Sequence, residues 1–132
     1  MELNVNGHPV HASTGARPFD PARPVLVFLH GSAMDHTMWA FPARHFARHG
    51  RAVLAVDLPG HGRSGGTPLP SIEALADWVV ALLDAAGAQR AALVGHSMGS
   101  LVALDAAARH PERIERIALL GTALPMAVAE PL

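Results

Sequence analysis

Residues Leu3 to Ala12 alternate apolar and polar positions around Asn6-Gly7. That dipeptide tolerates the positive φ angles of a two-residue hairpin turn, so the segment predicts two short antiparallel strands. Ser13 to Arg23 is rich in Pro, Gly and Arg and predicts a loop. Pro24 to Leu29 is an unbroken apolar run, the pattern of a parallel strand covered on both faces. A helix over Met38–His49 follows, closed by Gly50 as a left-handed cap. Arg51–Val56 predicts the next strand, and a Gly/Pro loop runs on to Pro70. Ser71 caps a helix that carries Ile72, Leu75, Val79 and Leu82 on one face and ends at Gly87. An apolar run ending at Leu93-Val94 predicts a further buried strand. The helix over Gly99–Arg109 stops at His110-Pro111, and Ile114–Gly121 predicts one more strand. Thr122–Leu132 carries no clear element. A hairpin followed by alternating strands and helices predicts a single α/β domain over residues 1–132, with a mostly parallel sheet and helices on both faces.

Between the third predicted strand of this series and its helix stands Gly95-His96-Ser97-Met98-Gly99. Strand, sharp turn, serine and helix form the context that makes Gly-x-Ser-x-Gly a nucleophile elbow. Gly95 and Gly99 lack side chains, so strand and helix can pack closely on either side of the turn. The serine then stands at a helix N-terminus, where free N–H groups and the helix dipole favour negative charge. An attacking alkoxide and a developing oxyanion both need that environment.

Composition narrows the alternatives. Half of the 132 residues are apolar and the net charge is −1, so nothing steers the chain to nucleic acid or to an anionic membrane. All ten basic residues are Arg. The absence of Cys excludes disulfides, thiolate metal sites and a cysteine nucleophile. Met1–Gly7 has neither the basic nor the apolar region of a signal peptide, and no apolar stretch is long enough to span a bilayer, so a cytoplasmic protein is expected.

Two other chemistries can be weighed. Gly60-His61-Gly62-Arg63-Ser64-Gly65 fits a dinucleotide fingerprint, but Gly66, Pro68 and Pro70 intervene before the helix that such a loop must open. No cofactor is expected. The nine His residues raise the question of a metal. His45 and His49 are four apart on a helix and His8 and His11 flank a hairpin strand, yet neither pair has an evident third ligand, so no metal is expected. Met34, Met38, Trp39 and Met98 could line an apolar acyl pocket or simply fill core.

Three stretches in the same order, Leu29-His30-Gly31-Ser32, Asp57-Leu58-Pro59-Gly60-His61-Gly62-Arg63-Ser64 and Gly95-His96-Ser97-Met98-Gly99, together resemble the α/β-hydrolase superfamily. The chain is similar to its esterase, non-haem haloperoxidase-like and C–C bond hydrolase branches over about Leu3 to Leu124. The resemblance implies strands one to six in spatial order 1-2-4-3-5-6. It implies Ser97 as nucleophile, with the backbone N–H groups of Met98 and Ser32 as oxyanion donors. His30 and His61 are expected to order their loops, with Gly31 beside the oxyanion hole. A Ser nucleophile sets the chain apart from the epoxide hydrolase and haloalkane dehalogenase branches, which attack with Asp. The implied reaction is hydrolysis of an ester-like small molecule through an acyl-enzyme.

In that superfamily the triad continues with an acid and a His on later strand ends. Beyond Ser97 this sequence holds His110, Asp105, Glu112, Glu115 and Glu130. At 1.5 Å per helical residue, Asp105 lies about 12 Å and His110 about 20 Å from Ser97, too far for proton transfer. His96 is expected to project away from the Ser97 hydroxyl. The resemblance therefore implies the N-terminal half of a hydrolase, without cap and last strands. The sequence leaves open a fragment, a frameshifted product or one chain of a split protein, and an active enzyme or a non-catalytic interaction module. The strand over Ile117–Leu120 is an expected open edge, available to a second copy or to a complementing C-terminal half.

Overall fold

The computed structural model describes residues 1–122. Its strands are β1 (Glu2–Val5), β2 (His8–Ser13), β3 (Val25–Leu29), β4 (Ala52–Val56), β5 (Ala91–His96) and β6 (Ile114–Leu120). They form one sheet in the order β1-β2-β4-β3-β5-β6, as the family resemblance implies. The β1–β2 hairpin turns at Asn6 (φ 52°) and Gly7 (φ 84°), and β2 joins β4 antiparallel through Ala12 and Ser13. The remaining pairings are parallel.

Helices cover both faces. α1 (Ala40–Arg48) packs Ala43 and Ala47 with Leu26, Phe28, Val53 and Ala55 on one side. α2 (Ile72–Ala86) and α3 (Met98–Arg109) pack on the other with Val27, Leu29, Leu54, Val56 and Leu93. β3 and β4 are therefore buried at every position, which is why their sequences run apolar without alternation. The buried face of α2 is wider than its sequence stripe. Trp78 and Leu83 are also buried, because this helix packs on α3 as well as on the sheet.

The caps show local sequence at work. The Ser71 hydroxyl accepts the Ala74 N–H at 3.1 Å, and Gly87 closes α2 at φ 72°. The first helix differs from expectation. It opens earlier, as a 3₁₀ turn over His36–Trp39, because the Asp35 carboxylate accepts the Thr37 N–H at 2.8 Å and caps the chain there. Among the described residues no helix is long and apolar enough to cross a membrane.

One topological feature positions the site. From β3 the chain moves to β4 on one side, and from β5 it moves to β6 on the other. β3 and β5 lie side by side, with Leu29 paired to Gly95. Their carboxyl ends flank the point where strand order reverses, and open α/β sheets leave a crevice there.

Candidate active site

Ser97 stands at that crevice. Strand β5 runs through His96, two residues further than the sequence suggests, and α3 begins at Met98 rather than Gly99. Ser97 alone makes the turn, at φ 54° and ψ −114°. A non-glycine residue there is strained by about 1–3 kcal/mol and persists only where its surroundings fix it. Both flanking glycines are required. A Cβ on Gly95 would lie 2.2 Å from the Gly99 carbonyl oxygen, and one on Gly99 would lie 2.2 Å from that of Leu29. The Ser97 N–H donates to the Leu120 carbonyl at 2.9 Å, tying the elbow to β6. Met98 is the first helical residue, so its N–H has no intrahelical acceptor, and it takes no other partner among the described residues.

The His-Gly loop after β3 packs against the elbow. A Cβ on Gly31 would come within 3.3 Å of His96 Nδ1 and 3.5 Å of its carbonyl oxygen. The Ser32 N–H likewise has no partner among the described residues. His30 is fully buried. Its Nδ1–H donates to the Gly31 carbonyl at 2.7 Å, and its Nε2 accepts the Leu58 N–H at 3.0 Å. Burial pushes the imidazole pKa below its ordinary value, which suits a neutral ring bridging the ends of β3 and β4. His61 lies tilted beside it, 5.1 Å between centroids, and its Nδ1–H donates to the Pro59 carbonyl. Both rings order loops.

A third centre lies in the Asp57–Ser64 stretch, where residue types alone assign Asp57 no partner. Asp57, at the end of β4, is fully buried. Its carboxylate accepts the His36 N–H at 2.7 Å, His36 Nδ1–H at 2.8 Å and the Arg63 N–H at 2.8 Å. Burial alone would raise its pKa, but these bonds outweigh it and hold the carboxyl below the usual range. The Ser64 hydroxyl completes the knot, donating to the Asp57 carbonyl at 2.6 Å and accepting the His11 N–H at 3.0 Å. Gly62 is obligatory here, since a Cβ would sit 2.4 Å from the carboxylate. Asp35, His36 and Asp57 place one ligand atom each within 4.8 Å of the others, enough to hold a cation. Yet Asp57 already spends both oxygens on N–H donors, so the cluster reads as a loop latch.

The carboxylates and His downstream of Ser97 serve elsewhere. His110 Nε2 pairs with Asp77 at 2.8 Å, and Asp105 pairs with Arg109 at 3.3 Å. Glu112 and Glu115 are exposed, and Glu130 lies outside the described residues. The His96 ring lies against Gly31, and its Nε2 would be 3.5 Å from a Cβ on Gly121. Of the candidate pocket residues, Trp39 is core, 5.0 Å from the Phe28 ring, and Met38 packs beside it. Met98 packs partly against the larger core, while Met34 is exposed beside Gly31. A cavity of about 100 Å³ opens between Val5, His8, Pro59, Leu69 and Trp78, away from the elbow.

Comparison with known proteins gives the same picture. Residues 24–132 match the family model described as alpha/beta hydrolase fold. A pimeloyl-[acyl-carrier protein] methyl ester esterase of Aromatoleum aromaticum is 39% identical over 102 residues, covering 76% of this chain and 38% of the esterase. Epoxide hydrolase B of Mycobacterium tuberculosis is 34% identical over 128 residues, covering 95% of this chain and 35% of that enzyme. The CIB-like hydrolase of Thermoplasma acidophilum superposes with a TM-score of 0.81 at 24% identity, over 90% of this chain and 60% of its own. Across such curated relatives the matched region spans 26–38% of their length. A strand order reversing beside a strained Ser elbow, and a family match over residues 24–132, place this chain in the α/β-hydrolase family.

Proposed function

We propose that Ser97 is the nucleophile of an ester hydrolysis. The observation that carries this reading is a serine held at positive φ on the N-terminus of α3, with the Met98 N–H, which has no partner among the described residues, behind it and the His-Gly loop packed alongside. Ser97 Oγ attacks the carbonyl carbon of a small ester-like molecule. The oxyanion is received by the backbone N–H groups of Met98 and Ser32. Collapse expels the alcohol and leaves an acyl-serine, which water cleaves to acid and free serine. The relatives include esterases and epoxide hydrolases, and the nucleophile separates them. A serine opening an epoxide would form an ether, which water does not cleave, so turnover would stop. An acyl-serine is an ester and turns over.

Proton transfer needs a base within about 2.6–3.2 Å of the hydroxyl or one water away. Among the described residues His110 and Asp105 are engaged elsewhere, and His30 uses both nitrogens to bridge loops. The proposal therefore assigns the acid and the His to polypeptide beyond these residues. It would meet the sheet at β6, the outermost strand among the described residues, where Leu120 is exposed, whether as further polypeptide of the same protein, a complementing C-terminal half or a second copy. A second reading follows from the same want of a base: a module that keeps the fold for interaction and does no chemistry.

Intact mass spectrometry after treatment with a fluorophosphonate separates the two. Slow, incomplete labelling of the isolated chain, abolished by Ser97→Ala, is the expected result. Folded protein that takes up no label supports the interaction module. Rapid stoichiometric labelling of the isolated chain would refute the assignment of the base to other polypeptide.

A further inference from the structure

The elbow is held from a direction its motif does not specify. The Ser97 carbonyl accepts the Ser100 N–H at 2.9 Å, as a helix start requires, and also the Ser100 hydroxyl at 2.5 Å. Ser100 is fully buried, and its oxygen in turn accepts the Thr122 hydroxyl at 2.5 Å. Thr122 stands two residues past the end of β6, after Gly121 turns the chain at φ 65°. The Ser97 N–H reaches the same place, since it donates to the Leu120 carbonyl at 2.9 Å. Both backbone polar groups of the nucleophile are thus anchored where the chain leaves β6.

The direction of these bonds matters. A buried hydroxyl with no donor of its own can rotate among acceptors. The Thr122 donor occupies the Ser100 lone pair and leaves its proton one acceptor, the Ser97 carbonyl. Hydroxyls in series polarise one another, so the last bond is strengthened by the first. A backbone at φ 54° and ψ −114° persists only when such contacts over-determine it.

We propose that Thr122 is a positioning residue for Ser97, acting through Ser100, and that elbow geometry is coupled to the segment leaving β6. The consequence for reactivity rests on Ser97 being the nucleophile; the geometric coupling does not. Thr122→Val removes the hydroxyl and keeps the shape, whereas Thr122→Ser keeps the hydroxyl. Amide hydrogen exchange by NMR reads the geometry, and the fluorophosphonate labelling rate reads the reactivity. In Thr122→Val, the Ser97 and Ser100 amides are expected to exchange at least about tenfold faster while β3 and β4 amides are unchanged. Labelling slows at least about fivefold. Thr122→Ser behaves as wild type in both. Unchanged Ser97 and Ser100 exchange in Thr122→Val overturns the proposal, as does an acceleration spread evenly over the sheet. Failure of Thr122→Ser to restore exchange overturns it too. If wild type itself takes no label, the esterase reading fails, and the exchange data alone decide the coupling.

Discussion

Replacing Asp57 by Ala removes a fully buried acceptor for three part-buried N–H groups. Hydrogen bonds to a charged acceptor contribute about 1.5–3 kcal/mol each, and an orphaned buried donor costs about 1–3 kcal/mol. The three losses do not add fully. Two come from one residue, His36, and water can enter the space left behind. Allowing for that overlap, the expected loss for Asp57→Ala is about 3–5 kcal/mol, set by the charge-assisted bonds it removes. That is a large part of the roughly 5–15 kcal/mol available to a domain of this size. Asp57→Asn keeps one oxygen for His36 but turns an NH2 towards the Arg63 N–H, and should cost about 2–3 kcal/mol. Urea unfolding followed by tryptophan fluorescence is the assay. Trp39 sits in the 3₁₀ turn that Asp57 latches, and Trp78 in the larger core. The sign with pH is fixed. The folded carboxyl has the lower pKa, so its contribution is complete above the ordinary value of 3.8 and is lost as pH falls through the folded value. The charged-latch argument is refuted if Asp57→Ala costs under about 1 kcal/mol, or if Asp57→Asn and Asp57→Ala cost the same.

Two further predictions concern the neighbouring loops. Gly99→Ala drives a Cβ to 2.2 Å from the Leu29 carbonyl oxygen, and backbone on both sides must move; urea unfolding should register a loss of about 3 kcal/mol or more, and a loss under 1 kcal/mol would mean the contact relaxes freely. For His30, burial lowers the folded pKa below 6.5, so the unfolded chain takes the proton first as pH falls. Stability should decline below pH 6.5 by up to about 1.4 kcal/mol per pH unit until the folded pKa is passed. Unfolding at pH 7.5 and 5.5 should show this slope reduced in His30→Gln; an equal slope in both proteins refutes a neutral buried bridge.

What was legible in the sequence was local or periodic. Asn6-Gly7, Ser71 and Gly87 each act within a few residues of themselves, and the structure uses all three as read. The apolar runs of β3 and β4 announce burial on both faces, and Gly95 and Gly99 announce close packing at the elbow. The Asp57–His36 latch spans 21 residues, and the Ser100–Thr122 bond spans 22. In both, the residue type is ordinary for a loop or a helix start, and only the strand order brings the partners together. Asp35 two residues before Thr37 is an N-cap pattern, and it would have moved the first helix back to His36.

The division of the site follows from which of its parts are backbone. An oxyanion donor is any N–H correctly aimed, and a strained serine is a matter of φ and ψ. Both arise from two adjacent strand ends, β3 and β5, because strand order reverses between them. A base is different. It is a side chain that must reach the hydroxyl from outside the elbow, and no turn geometry substitutes for it. On the proposed reading the described residues supply the backbone part, and the Ser97 carbonyl is bonded to the Ser100 hydroxyl, which is bonded to Thr122. Removing triad members from other serine enzymes leaves catalysis about 10³–10⁴-fold above water, carried by oxyanion hole and binding alone. The elbow, the Met98 and Ser32 N–H groups and the loops that hold them are the elements that such residual catalysis requires. Proton transfer is the remaining component; under the proposal, polypeptide supplying it would reach the serine past β6, the outermost strand among the described residues, which anchors Ser97 through Leu120.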